Sequence, residues 1–125
     1  MQKRILIVDD EPALLIAFKG MLESESVLVD TAETMGSAES LLKKNLYDVV
    51  IVDLRLTGVM GEEGLEIIKY VKEYRPETHV ILITGYGSPD VMEKAKQLGA
   101  AFYFEKPVSS ETLFSAMKHL GIEYR

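Results

Sequence analysis

Three short runs of aliphatic residues constrain the fold of this chain more than any other feature. They lie at residues 5–8, 49–52 and 80–83, and none of them alternates apolar with polar residues. A strand with this composition is covered on both faces, as the central strands of a parallel sheet are. Two weaker runs, at 27–29 and 100–104, predict two more strands, and the first of these turns polar directly afterwards, as an edge strand can.

Helical patterns separate these runs. Between successive strands, apolar residues recur three and four positions apart, and Pro12 and Pro89 stand where prolines are favoured in a first helical turn. The order strand then helix repeats five times, which predicts an α/β fold: an open, doubly wound parallel sheet with right-handed crossovers and helices on both faces. No linker or low-complexity tract interrupts the chain, so we expect residues 1–125 to form one domain, with any output domain outside them.

Composition excludes several classes of function. The chain has no cysteine, which rules out disulfides, thiol catalysis and cysteine-ligated metals. Its net charge of -6 argues against direct binding of nucleic acid, which needs a basic surface. The aliphatic runs fall far short of the roughly 20 residues that span a bilayer. The apolar stretch after the basic N-terminus is too short for a signal peptide, so we expect a cytoplasmic domain that makes no membrane contact.

Hydrophilic residues follow the predicted strands at their carboxyl ends, where open α/β sheets bind their ligands. These residues are Asp9, Asp10 and Glu11 after the first strand, Asp53 after the third, Thr84 after the fourth, and Lys106 after the fifth. Converging carboxylates raise one another's pKa unless a cation joins them, and Mg²⁺ binds one or two carboxylates together with ligand oxygens. A metal, an ammonium and a hydroxyl together describe a site for a phosphoryl group, with Asp53 as the candidate acceptor.

Each of these residues also has a plainer interpretation when it is taken alone. The acids after the first strand could cap a helix or complement its dipole, and a single Asp or Thr at a strand end is typical of a turn. Their coincidence at one edge of the predicted sheet favours the phosphoryl site over these separate interpretations.

The same residues lie in motifs that resemble the receiver domain of bacterial two-component response regulators, over nearly all of the chain. The motifs are Ile7-Val8-Asp9-Asp10-Glu11, Val52-Asp53-Leu54-Arg55-Leu56, Ile83-Thr84-Gly85-Tyr86-Gly87 and Lys106-Pro107. This resemblance implies a flavodoxin-like (β/α)5 fold with strand order 2-1-3-4-5. It also implies a phosphoryl-accepting signalling switch with only weak self-phosphorylation and self-dephosphorylation chemistry, and not a metabolic enzyme.

The resemblance implies a metal site and a phosphoryl donor. Mg²⁺ would be held by Asp9, Asp10, Asp53 and the backbone carbonyl of Arg55. Asp53 would take its phosphoryl group from a histidine kinase or a phosphotransfer protein.

A switch is implied as well. Lys106 would pair with the phosphoryl oxygens, Thr84 would move inward to bond one of them, and Tyr103 would follow into the vacated space. The Lys106–Pro107 peptide is expected to be cis. The face built from the fourth helix, fifth strand and fifth helix would contact an output domain or a second copy of the chain.

Two departures from the family pattern stand close to Asp53. Thr57 replaces a usual proline, and the loop over residues 57–64 is about three residues longer than the family norm. It is either a tolerated surface insertion or a lip that alters partner access. Arg55 and Tyr86 occupy positions that flank the phosphoryl group in this family. They either hinder the attacking water, which lengthens the life of the phosphorylated form, or point to solvent.

Three alternative functions fit these residues less well than the switch does. A receiver-like docking module that does not use phosphate is disfavoured by the complete set of acids with Thr84 and Lys106. A hydrolase of phosphorylated small molecules often has a second acid two residues after its nucleophile, where this chain has Arg55. A flavin-binding domain needs a phosphate loop after the first strand, where the acidic residues of this chain would repel phosphate.

Overall fold

The computed structural model describes residues 2–56 and 61–124, in which strands and helices alternate strictly. The elements are β1 (Lys3–Val8), α1 (Pro12–Leu22), β2 (Val27–Ala32), α2 (Met35–Lys44), β3 (Val49–Asp53), α3 (Glu63–Tyr74), β4 (His79–Thr84), α4 (Pro89–Leu98), β5 (Phe102–Glu105) and α5 (Ser110–His119). Residues 57–60 of the long loop predicted over 57–64 lie outside the described residues.

The five strands form one parallel sheet in the order β2-β1-β3-β4-β5, which confirms the predicted doubly wound, flavodoxin-like fold. β3 lies at the centre, and all five of its residues are buried. β2 is an edge strand, as its polar end predicted, and it extends three residues further than the apolar run.

The start of β5 differs from the prediction, which placed it at residue 100. The Ala100 amide donates to the Ala95 carbonyl at 2.9 Å, and Gly99 has a left-handed φ of 102°. Ala100 therefore belongs to the closure of α4, and strand pairing within β5 begins only at Phe102.

Two hydrophobic layers enclose the sheet. On β1, Leu6 and Val8 point into the layer beneath α2, α3 and α4, while Ile5 and Ile7 point into the layer beneath α1 and α5. All four side chains have 1% or less of their surface exposed. Because successive residues of a strand point to opposite faces, burial of both faces demands continuous apolar runs, which is the pattern seen in the sequence.

Side-chain caps begin three of the helices. Thr34, Ser88 and Ser109 accept hydrogen bonds from the backbone N–H groups three residues later, at α2, α4 and α5. Among the described residues, no helix combines the length and apolarity needed to cross a bilayer.

Candidate functional site

The carboxyl ends of the central strands bring the predicted residues to one edge of the sheet. Val8 of β1 pairs with Val52 of β3, so the residues that follow them, Asp9 and Asp53, come to adjacent positions. Thr84 ends β4, and Lys106 directly follows β5. Parallel pairing of neighbouring strands thus places residues that are far apart in sequence beside one another.

Lys106 joins the acids of two strand ends. Its Nζ donates to Asp9 Oδ2 at 2.9 Å, to Glu11 Oε1 at 3.1 Å and to Asp53 Oδ2 at 3.3 Å. The Lys106 side chain is 18% exposed, while those of Asp9 and Asp53 are only 4% and 5% exposed. The three bonds therefore hold a largely buried ammonium against two buried carboxylates. The Lys106–Pro107 peptide is cis, which confirms that expectation.

Glu11 is a contact that sequence reasoning did not assign. The sequence shows it only as one of the three acids after β1, but it is the N-cap residue of α1 and its carboxylate reaches Lys106. Its backbone N–H also donates to Asp9 Oδ1 at 2.9 Å, which orients that carboxylate. The Asp-Asp-Glu sequence was the signal, but nothing in it specified that Lys106 would be the partner.

Asp9, Asp10 and Asp53 form a cluster that could hold a metal ion. Each offers a carboxylate oxygen, and these oxygens all lie within 4.8 Å of one another. Asp53 Oδ1 is buried and has no hydrogen-bond partner among the described residues. An orphaned buried carboxylate oxygen beside two further acids is a position that a divalent cation with oxygen ligands would satisfy.

The electrostatics of the cluster also favour a cation. Burial and then the charge of Asp9 raise the pKa of Asp53 to about 6, against the opposing effect of Lys106. The pKa of Asp9 is also raised, chiefly by burial, although the hydrogen bond from Lys106 acts against the rise. One ammonium therefore leaves the carboxylates insufficiently compensated, and further positive charge would favour their ionised forms.

Arg55 and Tyr86 stack beside this cluster. The Arg55 guanidinium carbon lies 4.1 Å from the centre of the Tyr86 ring, well within the range of a cation–π contact. Both residues line a cleft of about 470 Å³ with Asp53 and Lys106. Tyr86 keeps 52% of its surface exposed. The pair therefore forms one wall of the cleft while remaining accessible to solvent.

The two residues of the expected switch lie on the same face of neighbouring strands. Thr84 is fully buried, and its Oγ1 accepts a hydrogen bond from the Tyr86 backbone N–H at 2.9 Å. Tyr103 pairs with Leu82 of β4 and packs against the apolar layer beneath α4. Thr84 lies two residues beyond Leu82, and side chains two residues apart on a strand share a face. Thr84 and Tyr103 therefore occupy diagonal positions on one face of the sheet.

Gly64 is a contact that sequence reasoning missed. It lies in the first turn of α3, and its N–H donates to the Leu54 carbonyl at 2.9 Å. A Cβ added at this position would overlap the Asp53 carbonyl oxygen and approach Leu54 Cα to 2.7 Å. The helix therefore lies directly on the backbone that carries Asp53. The Glu63-Gly64 pair was visible in the sequence, but its tight packing was not.

Known proteins resemble this chain in sequence. Residues 5–118 match the family described as the response regulator receiver domain. The alginate biosynthesis transcriptional regulatory protein AlgB of Pseudomonas aeruginosa is 37% identical over 97% of this chain, which spans 26% of that protein. Sporulation initiation phosphotransferase F of Bacillus subtilis is 30% identical, with coverage of 94% of this chain and 93% of that protein. The chain thus spans about a quarter of the alginate regulator and nearly all of the sporulation protein.

Two solved structures show the same architecture. A CheY-like receiver domain from Methanospirillum hungatei superposes with a TM-score of 0.88 at 32% identity, covering 95% of this chain and 93% of its own. The beryllofluoride-activated NtrC4 receiver domain dimer superposes with a TM-score of 0.85 at 37% identity, covering 95% and 96%. Matched along almost its whole length in sequence and in fold, this chain belongs to the response regulator receiver domain family and is a phosphorylatable signalling switch.

Proposed function

We propose that this chain accepts a phosphoryl group on Asp53 from a histidine kinase or a phosphotransfer protein. The carrying observation is the placement of the Asp53 carboxylate at the end of β3. It is buried and bonded on one oxygen to Lys106, and its other oxygen has no partner among residues 2–56 and 61–124. A docking module that does not use phosphate has no need for a buried, under-compensated carboxylate. Its electrostatic cost argues against that alternative.

Magnesium fits the carboxylate cluster. We infer that Asp9, Asp10, Asp53 and the backbone carbonyl of Arg55 hold it, on the evidence of the orphaned Asp53 Oδ1 and the close approach of the three carboxylates. When it is bound, the ion neutralises negative charge on the transferring phosphoryl oxygens.

The side chains of the cleft have separate roles in phosphoryl transfer. A carboxylate oxygen of Asp53 bonds to phosphorus as the bond from phosphorus to the donor histidine nitrogen breaks, and the bonding electron pair stays on the imidazole. Lys106, already in contact with Asp53, is placed to donate to a phosphoryl oxygen. Thr84 turns its hydroxyl from the Tyr86 amide to another phosphoryl oxygen, and Tyr103 responds to that movement.

Movement of Tyr103 alters the face formed by α4, β5 and α5. We propose that an output domain or a second copy of the chain docks on this face. The dimeric arrangement of the activated NtrC4 receiver supports self-association among relatives. We further propose that residues 1–125 act as one cytoplasmic receiver unit, that their intrinsic phosphorylation and dephosphorylation chemistry is weak, and that they bind neither nucleic acid nor membrane directly.

We propose that the stack of Arg55 on Tyr86 lengthens the life of the phosphorylated form. Hydrolysis needs a water molecule to approach phosphorus through the cleft, and the stacked pair narrows one side of that cleft. We expect a lifetime of minutes or longer, with faster loss of phosphate in Arg55→Ala and in Tyr86→Ala. Tyr74→Ala, at an exposed tyrosine in the last turn of α3, is the matched control. Equal decay in all four proteins would overturn this proposal.

Intact-mass measurement tests the proposed function. The chain is incubated with acetyl phosphate and Mg²⁺, beside Asp53→Asn and the control Asp90→Asn, which alters an exposed carboxylate in the first turn of α4. We expect one added phosphoryl group in the wild type and in the control, and none in Asp53→Asn. Absence of the adduct in the wild type, together with no magnesium-dependent change in tyrosine fluorescence, would instead support the docking module.

A further inference from the structure

Gly87, in the loop between β4 and α4, leaves a space that the side chain of Tyr103 fills. A Cβ built on Gly87 would overlap the Tyr103 hydroxyl oxygen and lie 3.0 Å from its Cζ atom. It would also approach the Glu105 Cγ atom to 3.3 Å. The phenol and a side chain at residue 87 therefore cannot occupy this space together.

The backbone does not explain the glycine. Among the described glycines, only Gly99 and Gly121 have a positive φ, so no left-handed backbone conformation demands a glycine at residue 87. Gly85, in the same loop, faces open space, since the nearest atom to its added Cβ is Lys106 Cδ at 4.0 Å. The significance of Gly87 is thus steric, and it concerns the far end of one movable side chain.

Packing holds the phenol in this position more than hydrogen bonding does. The Tyr103 hydroxyl is buried and has no partner with hydrogen-bond geometry in the part of the chain that the structure describes. Burial and the Glu105 carboxylate raise the pKa of the phenol, and the Ser88 amide acts in the opposite direction. A buried hydroxyl without a full hydrogen bond is an unfavourable arrangement, so hydrogen bonding adds little to the stability of the inward position.

The position of Tyr103 also shapes the surface of the protein. Its ring lines a shallow groove between α4 and β5, together with Met92 and Lys96. Movement of the ring therefore alters the face on which the proposed output contact depends.

We propose that Gly87 is the residue that sets the position of Tyr103: the missing side chain lets the phenol lie inward without a phosphoryl group, and any larger residue displaces it toward solvent. We call this steric control of Tyr103 by Gly87 the gate. Its role in regulation rests on the proposed function, because Tyr103 lies on the face that phosphorylation is expected to change. Its steric basis does not depend on phosphate.

The test measures the exposure of Tyr103 directly in the unphosphorylated protein. Tyrosine labelled with ¹³C in the ring is incorporated, the Tyr103 signal is assigned with Tyr103→Phe, and broadening by a soluble gadolinium chelate is recorded by NMR. We expect weak broadening in the wild type and in the matched control Gly85→Ala, and several-fold stronger broadening in Gly87→Ala. A Tyr103 signal equally protected in Gly87→Ala and in the wild type would overturn the inference. A wild-type signal as exposed as that of Tyr86 would do the same.

A double variant keeps the inference testable if Gly87→Ala proves unstable. Removing the overlapping atom with Tyr103→Phe should lessen the effect of the alanine. Gly87→Ala should therefore lower the urea midpoint less when it is combined with Tyr103→Phe than when it is made in the wild type. Equal losses in both backgrounds would contradict a gate that acts through the phenol.

Phosphoryl uptake separates this inference from the proposed function. A normal mass adduct on every variant with unchanged Tyr103 exposure would overturn the gate alone. A wild type that takes up no phosphoryl group would overturn the proposed function alone, since the steric test needs no phosphate.

Discussion

Replacing Asp53 with asparagine should stabilise the metal-free domain near neutral pH. Burial and the nearby Asp9 raise the pKa of Asp53 from 3.8 to about 6, so the folded chain carries this charge at a cost that the unfolded chain does not have. Above both pKa values, that difference corresponds to roughly 3 kcal/mol. Lys106 keeps its bonds to Asp9 and Glu11 in the variant, so the ammonium is not left unpaired.

The sign of the pH dependence follows from the raised pKa. As the pH falls through about 6, the folded wild type binds a proton on Asp53 before the unfolded chain does, and the penalty is progressively relieved toward 3.8. The stability advantage of Asp53→Asn should therefore be largest above about pH 7 and should shrink steadily between about pH 6 and about pH 4. Magnesium should also reduce it, because the cation compensates the wild-type carboxylates and not the asparagine.

Urea unfolding followed by circular dichroism measures this difference. Wild type, Asp53→Asn and the control Glu77→Gln, at an exposed turn residue, are compared at pH 7.5 and pH 5, with EDTA and with Mg²⁺. We expect Asp53→Asn to gain roughly 2–3 kcal/mol at pH 7.5 in EDTA, less in the other conditions, and the control to match the wild type. An Asp53→Asn protein that is no more stable than the wild type at pH 7.5 in EDTA would refute this reasoning.

Two further substitutions test contacts seen only in the folded chain. Gly64→Ala should lower the free energy of unfolding by about 1–3 kcal/mol and slow phosphoryl uptake, because its Cβ would overlap the backbone at Asp53. The control Gly20→Ala, at an open helix position, should lower neither the stability nor the uptake. Unfolding curves and adduct formation measure both effects, and unimpaired uptake by Gly64→Ala would contradict the first. The wild-type Tyr124 hydroxyl donates a 2.6 Å hydrogen bond to the Leu22 carbonyl. Tyr124→Phe removes this bond and should lower the free energy of unfolding by about 1 kcal/mol. Because burial raises the pKa of Tyr124 to about 12, wild type should lose this advantage as the pH rises from 10 through 12, and a constant difference would count against it.

Local patterns in the sequence were enough to define the strands, their burial and the edge of the sheet that carries the acids. Runs of four aliphatic residues without alternation can be satisfied only by strands covered on both faces, so they specify central positions in a parallel sheet. Polar residues after those runs specify the ligand-binding edge, because the carboxyl ends of parallel strands converge. Such patterns involve neighbouring residues of the chain, and a sequence displays them directly.

Which side chains meet depended on the assembled fold. Lys106 reaches Asp9 across 97 positions of sequence and takes Glu11 as a further partner. Such pairings depend on how crossovers place one loop against another, and neither periodicity nor spacing encodes that placement. The start of β5 was also settled in this way, since Ala100 is apolar enough for a strand but its amide is taken by the end of α4.

The glycines show the same division most clearly. In the sequence Gly64 is an ordinary residue at the start of a helix and Gly87 an ordinary loop residue. Neither of them has a positive φ in the structure. Their importance comes from atoms that other segments bring within contact distance, the Asp53 backbone in one case and the Tyr103 phenol in the other. The sequence records that a side chain is missing, whereas the fold alone decides what occupies the space, because close packing is a property of the assembled interior.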